Sequence, residues 1–251
     1  MSQRFLGKTI VVTGGSTGIG LASAQAFLQE GAARVYITGR NKTTLAAAAA
    51  QLGPQSVAIA GDVANLADLE KLKLEIESRG DQLDVIFANA GVAETNAFGA
   101  TDEAQFDRIF GINVKGLFFS VQTLTPLLRD GGAIVLTASI VANKGMANFS
   151  LYNASKAAVR SFARTWANDL KARGIRVNAV SPGVTETPIF EGLGLTDEQK
   201  AGFFAYVQST APAGRVAAPA EIAGPVLFLA SSDASYINGV ELSVDGGFAQ
   251  V

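Results

Sequence analysis

The sequence contains neither cysteine nor histidine. Without cysteine it has no disulfide bond, no thiolate nucleophile and no Cys-ligated zinc or iron–sulfur site. Without histidine it lacks the commonest general base, and a Ser-His-Asp triad is excluded. We therefore expect no metal site, and proton transfer must use tyrosine, lysine, a carboxylic acid or water.

Charge is scarce and balanced. Only 17% of the residues are charged, and 20 basic side chains stand against 22 acidic ones, for a net charge of −2. No block of basic residues provides the positive surface that duplex-binding proteins need. We expect no nucleic-acid partner.

Long hydrophobic runs are also missing. No segment approaches the roughly 18 consecutive apolar residues of a membrane span. After Arg4 and Lys8 the only early apolar run is residues 10–12, which is too short for an export signal. We expect a cytoplasmic protein without a membrane partner.

The chain has 251 residues, 48% of them apolar, which suits one α/β domain over residues 1–251. Short Val- and Ile-rich runs alternate with longer Ala-rich segments of helical period. Strand–helix repeats require right-handed crossovers and a parallel sheet, so the predicted fold class is α/β, a Rossmann-type doubly wound parallel sheet of about seven strands with helices on both faces. The predicted strands are 8–13, 33–38, 56–60, 83–89, 132–138, 174–180 and 239–244. The predicted helices are 18–30, 42–51, 65–79, 102–129 with a break near 111–116, 153–173 and 219–230.

Residues 184–212 interrupt this alternation. The segment contains Gly192 and Gly194 between apolar and aromatic residues. A connection of this length is uncommon unless it is functional. We predict a substrate lid over the carboxyl end of the sheet.

A glycine-rich turn, Thr-Gly-Gly-Ser-Thr-Gly-Ile-Gly at residues 13–20, follows the first predicted strand and opens the first helix. Glycines let the backbone approach a pyrophosphate, and a helix N-terminus offers free N–H groups to it. We predict a dinucleotide site here. Its residues are Gly14, Ser16, Thr17, Gly18, Ile19 and Gly20.

Cofactor choice depends on the end of the second strand, which we expect to lie over the adenosine ribose. An acidic residue there would bind the ribose hydroxyls and repel a 2′-phosphate. This chain instead has Gly39 followed by Arg40 and Asn41, and a guanidinium pairs well with phosphate. The predicted cofactor is NADP(H); the alternative is that Arg40 is a solvated residue at the start of a helix.

Tyr152 and Lys156 are four residues apart on a predicted helix, so their side chains share one face. A nearby lysine cation would lower the phenol pKa and make Tyr152 a workable acid/base. Ser139 ends the fifth predicted strand, at the same edge of the sheet. An exposed Tyr–Lys pair is the alternative.

Together these motifs resemble the short-chain dehydrogenase/reductase family over residues 8–247. The resemblance implies the catalytic residues Asn113, Ser139, Tyr152 and Lys156. It also implies that Asn113 holds a water linking Lys156 to solvent, and that Lys156 holds the nicotinamide ribose. In this scheme Ser139 and Tyr152 bind a ketone oxygen while NADPH delivers hydride.

The resemblance extends the cofactor site to further segments, each of which alone could be a turn or a helix cap. Asp62 and Val63 would lie near adenine, and Asn89, Ala90 and Gly91 would steady the sheet around the cofactor. Pro182, Gly183, Val184 and Thr187 would face the nicotinamide, together with Tyr152 and Lys156.

For the substrate, an acidic and aromatic lid favours a neutral hydrophobic ketone. The predicted substrate residues are Ser139, Val141, Phe149, Leu151, Tyr152, Phe190 and Phe204. Within the family the sequence most resembles bacterial NADPH-dependent secondary alcohol dehydrogenases. The alternatives are a 3-oxoacyl-(acyl-carrier-protein) reductase, with Arg129 and Arg173 in a docking patch, and an NADP(H)-sensing protein without turnover. The family also implies a homotetramer.

Overall fold

The computed structural model describes residues 3–251. Its centre is one sheet of seven strands in the order β3-β2-β1-β4-β5-β6-β7, and every neighbouring pair is parallel. The predicted fold class is confirmed. The strands are β1 (Thr9–Thr13), β2 (Arg34–Gly39), β3 (Ser56–Ala60), β4 (Leu83–Ala88), β5 (Leu128–Thr137), β6 (Arg176–Pro182) and β7 (Glu241–Val244).

Both faces of the sheet are buried under helices. In β1, Ile10 and Val12 pack in the same apolar cluster as Phe27 of the first helix, whereas Val11 packs in the cluster on the opposite face. Successive strand side chains point to opposite faces, so a strand buried on both sides consists of a continuous apolar run. The helices are α1 (Gly18–Gln29), α2 (Lys42–Leu52), α3 (Leu66–Ser78), α4 (Glu103–Phe110), α5 (Leu117–Leu124), α6 (Ser150–Asp169), α7 (Asp197–Thr210) and α8 (Pro219–Ala230).

The strand order reverses at β1, which pairs with both β2 and β4. The chain leaves β1 toward one edge of the sheet and returns on the other side at β4. This reversal opens a crevice beyond the carboxyl ends of the central strands, where open α/β sheets bind ligands.

The predicted helix over 102–129 is wrong in part. Helix α4 passes into a π-helical segment, Gly111–Gly116, then into α5 and a 3-10 turn, Thr125–Leu127. Strand β5 then begins at Leu128, four residues before its predicted start. A proline in the 3-10 turn ends the helical hydrogen bonding because it has no N–H to donate.

The lid contains regular structure that the sequence analysis did not predict. Residues Pro188–Leu193 form 3-10 turns, and α7 occupies Asp197–Thr210. Thr196 caps α7 by accepting a hydrogen bond from the Gln199 N–H, and the Gln199 side chain accepts one from the Thr196 N–H. This capping box is readable in sequence, so α7 could have been predicted from it.

Among residues 3–251, every helix is too short or too polar to cross a membrane.

Candidate active site

A cavity of about 520 Å³ opens at the carboxyl ends of the strands, beneath the lid. Most of the predicted site residues line it. These are Gly14, Ser16, Thr17, Gly18, Ile19, Arg40, Asp62, Val63, Asn89, Ala90, Gly91, Ser139, Val141, Phe149, Tyr152, Lys156, Pro182, Gly183, Val184, Thr187 and Phe190. Five predicted site residues lie outside the lining: Gly20, Asn41, Asn113, Leu151 and Phe204.

The glycine-rich turn follows β1 and leads directly into α1. Gly14 has φ of +64°, and a Cβ there would lie 2.8 Å from the Ala90 Cα. A Cβ at Gly20 would lie 2.2 Å from the Gly14 carbonyl oxygen, so Gly20 permits close packing of the turn. Within residues 3–251, the Thr17 side chain makes no capping hydrogen bond at the start of α1. The turn therefore presents free N–H groups and the positive end of a helix dipole to the cavity.

Asn89 ties this turn to the sheet. Its Nδ2 donates to the carbonyl oxygens of Thr13 and Gly14, both at 3.2 Å, and its Oδ1 accepts from Thr137 Oγ1 at 3.2 Å. Thr13 Oγ1 in turn accepts from the N–H groups of Asn89 and Ala90. One amide side chain thus connects the carboxyl ends of β1, β4 and β5, which makes the turn rigid.

At the end of β2, Arg40 lines the cavity with its guanidinium 3.8 Å from an Asp62 carboxylate oxygen. A Cβ added at Gly39 would lie 2.8 Å from Ser16 Oγ. The Ser16 hydroxyl therefore occupies the space that an acidic side chain at position 39 would enter. Asn41 instead caps α2 by accepting from two backbone N–H groups, which explains its place outside the lining.

Three of the four predicted catalytic residues, Ser139, Tyr152 and Lys156, line the cavity where β5 ends and α6 begins. Ser139 is buried beside the cavity, and its Oγ accepts from the Val141 N–H at 3.4 Å. Lys156 is buried, with its Nζ donating to the Thr137 carbonyl at 2.8 Å and lying 5.8 Å from the centre of the Tyr152 ring. Helix α6 begins at Ser150, three residues before its predicted start, which places Tyr152 in its first turn.

The predicted lowering of the Tyr152 pKa is wrong. Burial raises the pKa of the Tyr152 phenol, and the hydrogen bond with Ser139 offsets only part of this rise. Burial also lowers the pKa of Lys156 to about 8. Removing water disfavours the charged form of both groups, so at neutral pH the phenol is protonated and Lys156 is largely cationic. A neutral phenol beside a cation is suited to donating a proton.

Asn113 lies outside the cavity lining, fully buried in the π-helical segment. Its Oδ1 accepts from the Val92 N–H at 2.8 Å, and its Nδ2 donates to the Val92 carbonyl at 2.9 Å and to Ser155 Oγ at 3.0 Å. Asn113 thus links the segment after β4 to α6. A Cβ added at Gly91 would lie 3.2 Å from Asn113 Oδ1 and 3.3 Å from Lys156 Nζ, so Gly91 keeps open a small space between them. The predicted water-holding role of Asn113 stays a prediction.

The lid end of the cavity is lined mainly by apolar side chains, with Glu191 as its charged member. Phe190 lines it and is 9% exposed, while Phe204 packs edge-on behind the Phe190 ring at 5.1 Å. Leu151 is buried, and its N–H donates to Asn96 Oδ1 at 3.5 Å. Sequence reasoning did not name several further lining residues as site residues: Val92 and Ala93 in the loop after β4, Ile112 in the π-helical segment, Met146 in the loop before α6, and Ile189, Gly192, Leu193 and Phe203 within the predicted lid. For Phe203, the capping box of α7 was the available signal.

Three comparisons with known proteins agree with this geometry. A family model described as "Enoyl-(Acyl carrier protein) reductase" matches residues 14–249. The protein named Oxidoreductase asL5 of Sarocladium schorii is 44% identical over 252 residues, which cover 99% of this chain and 98% of that relative.

Two solved structures from Brucella melitensis share the fold. One, described as "Short-chain dehydrogenase/reductase SDR:Glucose/ribitol dehydrogenase", has a TM-score of 0.93 and 31% identity, with full coverage of both chains. The other is a 3-ketoacyl-(acyl-carrier-protein) reductase complexed with NADH, which has a TM-score of 0.88 and 30% identity and covers 98% of this chain and 99% of its own. The chain therefore belongs to the short-chain dehydrogenase/reductase family, whose members are oxidoreductases that use a nicotinamide cofactor.

Proposed function

We propose that this protein transfers hydride between NADPH and a neutral, hydrophobic ketone or the matching secondary alcohol, as bacterial NADPH-dependent secondary alcohol dehydrogenases do. The observation that carries the proposal is the distribution of charge in the cavity. Its lining contains four charged side chains within residues 3–251: Arg40 and Asp62 after β2 and β3, Lys156 at the centre, and Glu191 on the lid. Among residues 3–251, none of the lid residues that line the cavity is a cation, so the lining offers none there to hold a substrate carboxylate or phosphate. Lys200 of α7 lies outside the lining, with its Nζ 6.0 Å from the centre of the Phe190 ring.

The walls around the Ser139–Tyr152 pair support an apolar substrate. They include Val141, Met146 and Phe149 on one side, and Phe190 and other lid residues on the other. Apolar surfaces with a few convergent polar groups are typical of small-molecule sites. Few hydrogen-bonding side chains are available there for the several hydroxyls of a sugar alcohol, so a ketone with one polar group fits better.

In the proposed reaction, the Ser139 hydroxyl and the Tyr152 phenol hydrogen-bond the carbonyl oxygen, where negative charge develops. Tyr152 then transfers its proton to that oxygen. Lys156 stabilises the negative charge left on Tyr152, because its cation lies near the ring in a site with little water. Bound NADPH supplies the hydride.

The preference for NADPH rests on two side chains at the end of β2. Arg40 is exposed on the cavity wall and can pair with a 2′-phosphate. Ser16 Oγ stands beside the Cβ position of Gly39, where it adds a hydrogen-bond donor for the same phosphate. With Gly39 in place, the two ribose hydroxyls have no carboxylate at that position to bind.

A 3-oxoacyl carrier-protein substrate is less well supported. Arg129 lies near the start of β5, the strand whose last residue, Thr137, lines the cavity. Leu128 pairs with Leu83 and Leu136 with Ala88, so at about 3.3 Å per residue the two ends of β5 are roughly 16 Å apart, with Arg129 at the end away from the cavity. Arg129 and Arg173 are also paired with Asp84 and Asp130, respectively. A carrier docked on these arginines would deliver its acyl chain at the wrong end of the sheet.

The proposal is tested by following the loss of NADPH absorbance with a panel of bulky ketones, small ketones, sugars and a 3-oxoacyl thioester on its carrier protein. We expect the largest kcat/KM for bulky apolar ketones. A carrier-bound substrate with the highest kcat/KM, and a strong loss of that activity with added salt, would instead indicate the carrier-protein reductase. Absence of turnover with tight NADPH binding would indicate the sensing protein.

We also propose that the protein forms a homotetramer in the cytoplasm. Phe118 of α5 and Phe162 and Trp166 of α6 are half-buried and in mutual contact, with ring centroids 4.9–5.5 Å apart. Such a partly exposed aromatic cluster is typical of subunit interfaces. Analytical ultracentrifugation at micromolar concentration checks this, and a stable monomer would contradict it.

A further inference from the structure

Glu241, on the edge strand β7, has no place in the chemistry described above, yet its side chain is 90% buried, with 10% exposed. Its carboxylate contacts three side chains from three different segments, two of them hydrogen-bond donors and one an ion-pair partner. Oε1 accepts from Ser181 Oγ at 2.6 Å, and Oε2 accepts from Asn143 Nδ2 at 2.8 Å. Oε2 also forms an ion pair with Arg160 Nε of α6.

Each of these three side chains adjoins a different part of the active site. Asn143 follows the 3-10 turn, Ile140–Ala142, that Ser139 caps. Arg160 lies one turn beyond Lys156 on α6. Ser181 directly precedes Pro182 and Gly183, which line the cavity.

We propose that Glu241 is a positioning residue. It holds the Ser139 segment, the Tyr152–Lys156 helix and the Pro182–Gly183 segment at fixed positions relative to one another. These segments belong to β5, α6 and β6, and a relative shift of about 1 Å between catalytic groups costs roughly 100-fold in rate. A carboxylate suits the task because it accepts several hydrogen bonds at once. The inference rests on the proposed function only in that the positioned groups are those of the proposed chemistry.

Ordinary structural stabilisation is the competing explanation, and a matched ion pair tests it. Glu30, with a side chain 18% exposed, accepts two hydrogen bonds from Arg4 at 2.5–2.6 Å, and none of these atoms lines the cavity. Glu30→Gln and Glu241→Gln each remove one partly buried charge and leave the side chain's size unchanged.

We expect Glu241→Gln to lower kcat with NADPH and a ketone by about 10- to 100-fold, with little change in KM for NADPH. Glu30→Gln should lower Tm without changing kcat. The double variant Glu241→Gln/Arg160→Leu distinguishes two causes of a lower kcat: displacement of the three segments, and an unpaired Arg160 cation. If the segments are displaced, the double variant stays as slow as Glu241→Gln. Recovery of kcat in the double variant would overturn the proposal.

Hydrogen exchange provides a readout that does not depend on turnover. The Val141 N–H, which donates to Ser139 Oγ, should exchange faster in Glu241→Gln and at the wild-type rate in Glu30→Gln. If the wild type reduces no ketone, the proposed function fails, and this measurement still decides the role of Glu241.

Should Glu241→Gln not fold, Ser181→Ala and Asn143→Ala each remove one hydrogen bond to Glu241 and should lower kcat several-fold. A wild-type kcat in both, or an unchanged Val141 exchange rate in Glu241→Gln, would overturn the proposal.

Discussion

The glycine-rich turn, residues 13–20, and the lid, residues 184–212, border the same cavity but are held together by different forces. The turn is defined by its backbone: Gly14 and Gly20 allow contacts that a Cβ would block, and Asn89 ties the turn to neighbouring strands. The lid is defined by side-chain packing, in which the rings of Phe190, Phe203 and Phe204 contact one another.

Because of this difference, we expect the turn to bind one kind of ligand and the lid to admit a range of substrates. A surface of backbone N–H groups in fixed positions suits one chemical class of ligand, an anion such as phosphate. Apolar packing is non-directional, and volume-conserving changes are tolerated. We therefore expect substitutions in the turn to abolish cofactor binding and substitutions in the lid to redistribute activity among substrates.

The largest effect is expected at Tyr152, where the two regions meet. Tyr152→Phe removes the proton donor and keeps the ring, so kcat should fall roughly 10²- to 10⁴-fold while the Kd for NADPH stays within a few-fold. Single-turnover kinetics and fluorescence titration measure the two quantities. Tyr236→Phe, at a fully exposed tyrosine, is the control. Near-normal turnover of Tyr152→Phe would show that another group donates the proton.

A change of cofactor tests the rigidity of the phosphate end. Gly39→Asp with Arg40→Leu should favour NADH, but a Cβ at position 39 would meet Ser16 Oγ at 2.8 Å and Ser16 Cβ at 3.1 Å. We therefore expect Ser16→Gly to be needed as a third change. The wild type should prefer NADPH by about 10- to 100-fold in kcat/KM, equivalent to one or two charge-assisted hydrogen bonds, and the triple variant should reverse this preference.

The double variant without Ser16→Gly is the control for the cofactor change, and it should bind both cofactors poorly. A wild type with the higher kcat/KM for NADH would contradict the assignment of Arg40.

In the lid, Phe190→Ala and Phe204→Ala should differ. Phe190 lines the cavity, whereas Phe204 only supports it from behind. Phe190→Ala should shift kcat/KM between small and bulky ketones by roughly 10- to 100-fold, and Phe204→Ala by less, with unchanged NADPH affinity in both. Competition assays with paired ketones give the ratios. If both variants slow all ketones equally, the lid only packs, and selection lies with Val141 and Phe149.

The smallest effect is expected from pH. The pKa of Lys156 is lowered to about 8 by burial, so its cation is lost as the pH rises through that value. Between pH 7 and pH 8 the charged fraction falls about twofold, and kcat for ketone reduction should fall with it. Alcohol oxidation should rise over the same range because Tyr152, whose pKa burial raises, must first lose its proton. A reductive kcat that is flat up to pH 9.5 would contradict this role of Lys156.

Much of this molecule was predictable from sequence because its signals are local. All seven strands were found, since Val- and Ile-rich runs between turn residues are distinctive. The turn at residues 13–20 was found because its glycines are required by close backbone contacts. Helix α7 was missed because Gly194 and the apolar residues around it resemble a loop, although Thr196 and Gln199 carried its capping signal.

The direction of the Tyr152 pKa shift and the contacts of Asn41 and Leu151 were not predictable from sequence. The Tyr152–Lys156 spacing correctly places the two residues one turn apart, but their burial raises the phenol pKa instead of lowering it. Asn41 and Leu151 have roles in a helix cap and in packing against Asn96. No local pattern distinguishes these roles from contact with a ligand.

The sequence by itself determined the order of strands and helices, the glycine-rich turn and the residue types available for proton transfer, because each depends on neighbours within a few positions. Only the tertiary structure decided which of those residues face the cavity and how much water surrounds them. It also decided that Glu241 joins Asn143, Arg160 and Ser181, which are 60–98 residues away along the chain. Burial and long-range contacts are properties of the packed sheet and helices, and desolvation then sets the charges at the site.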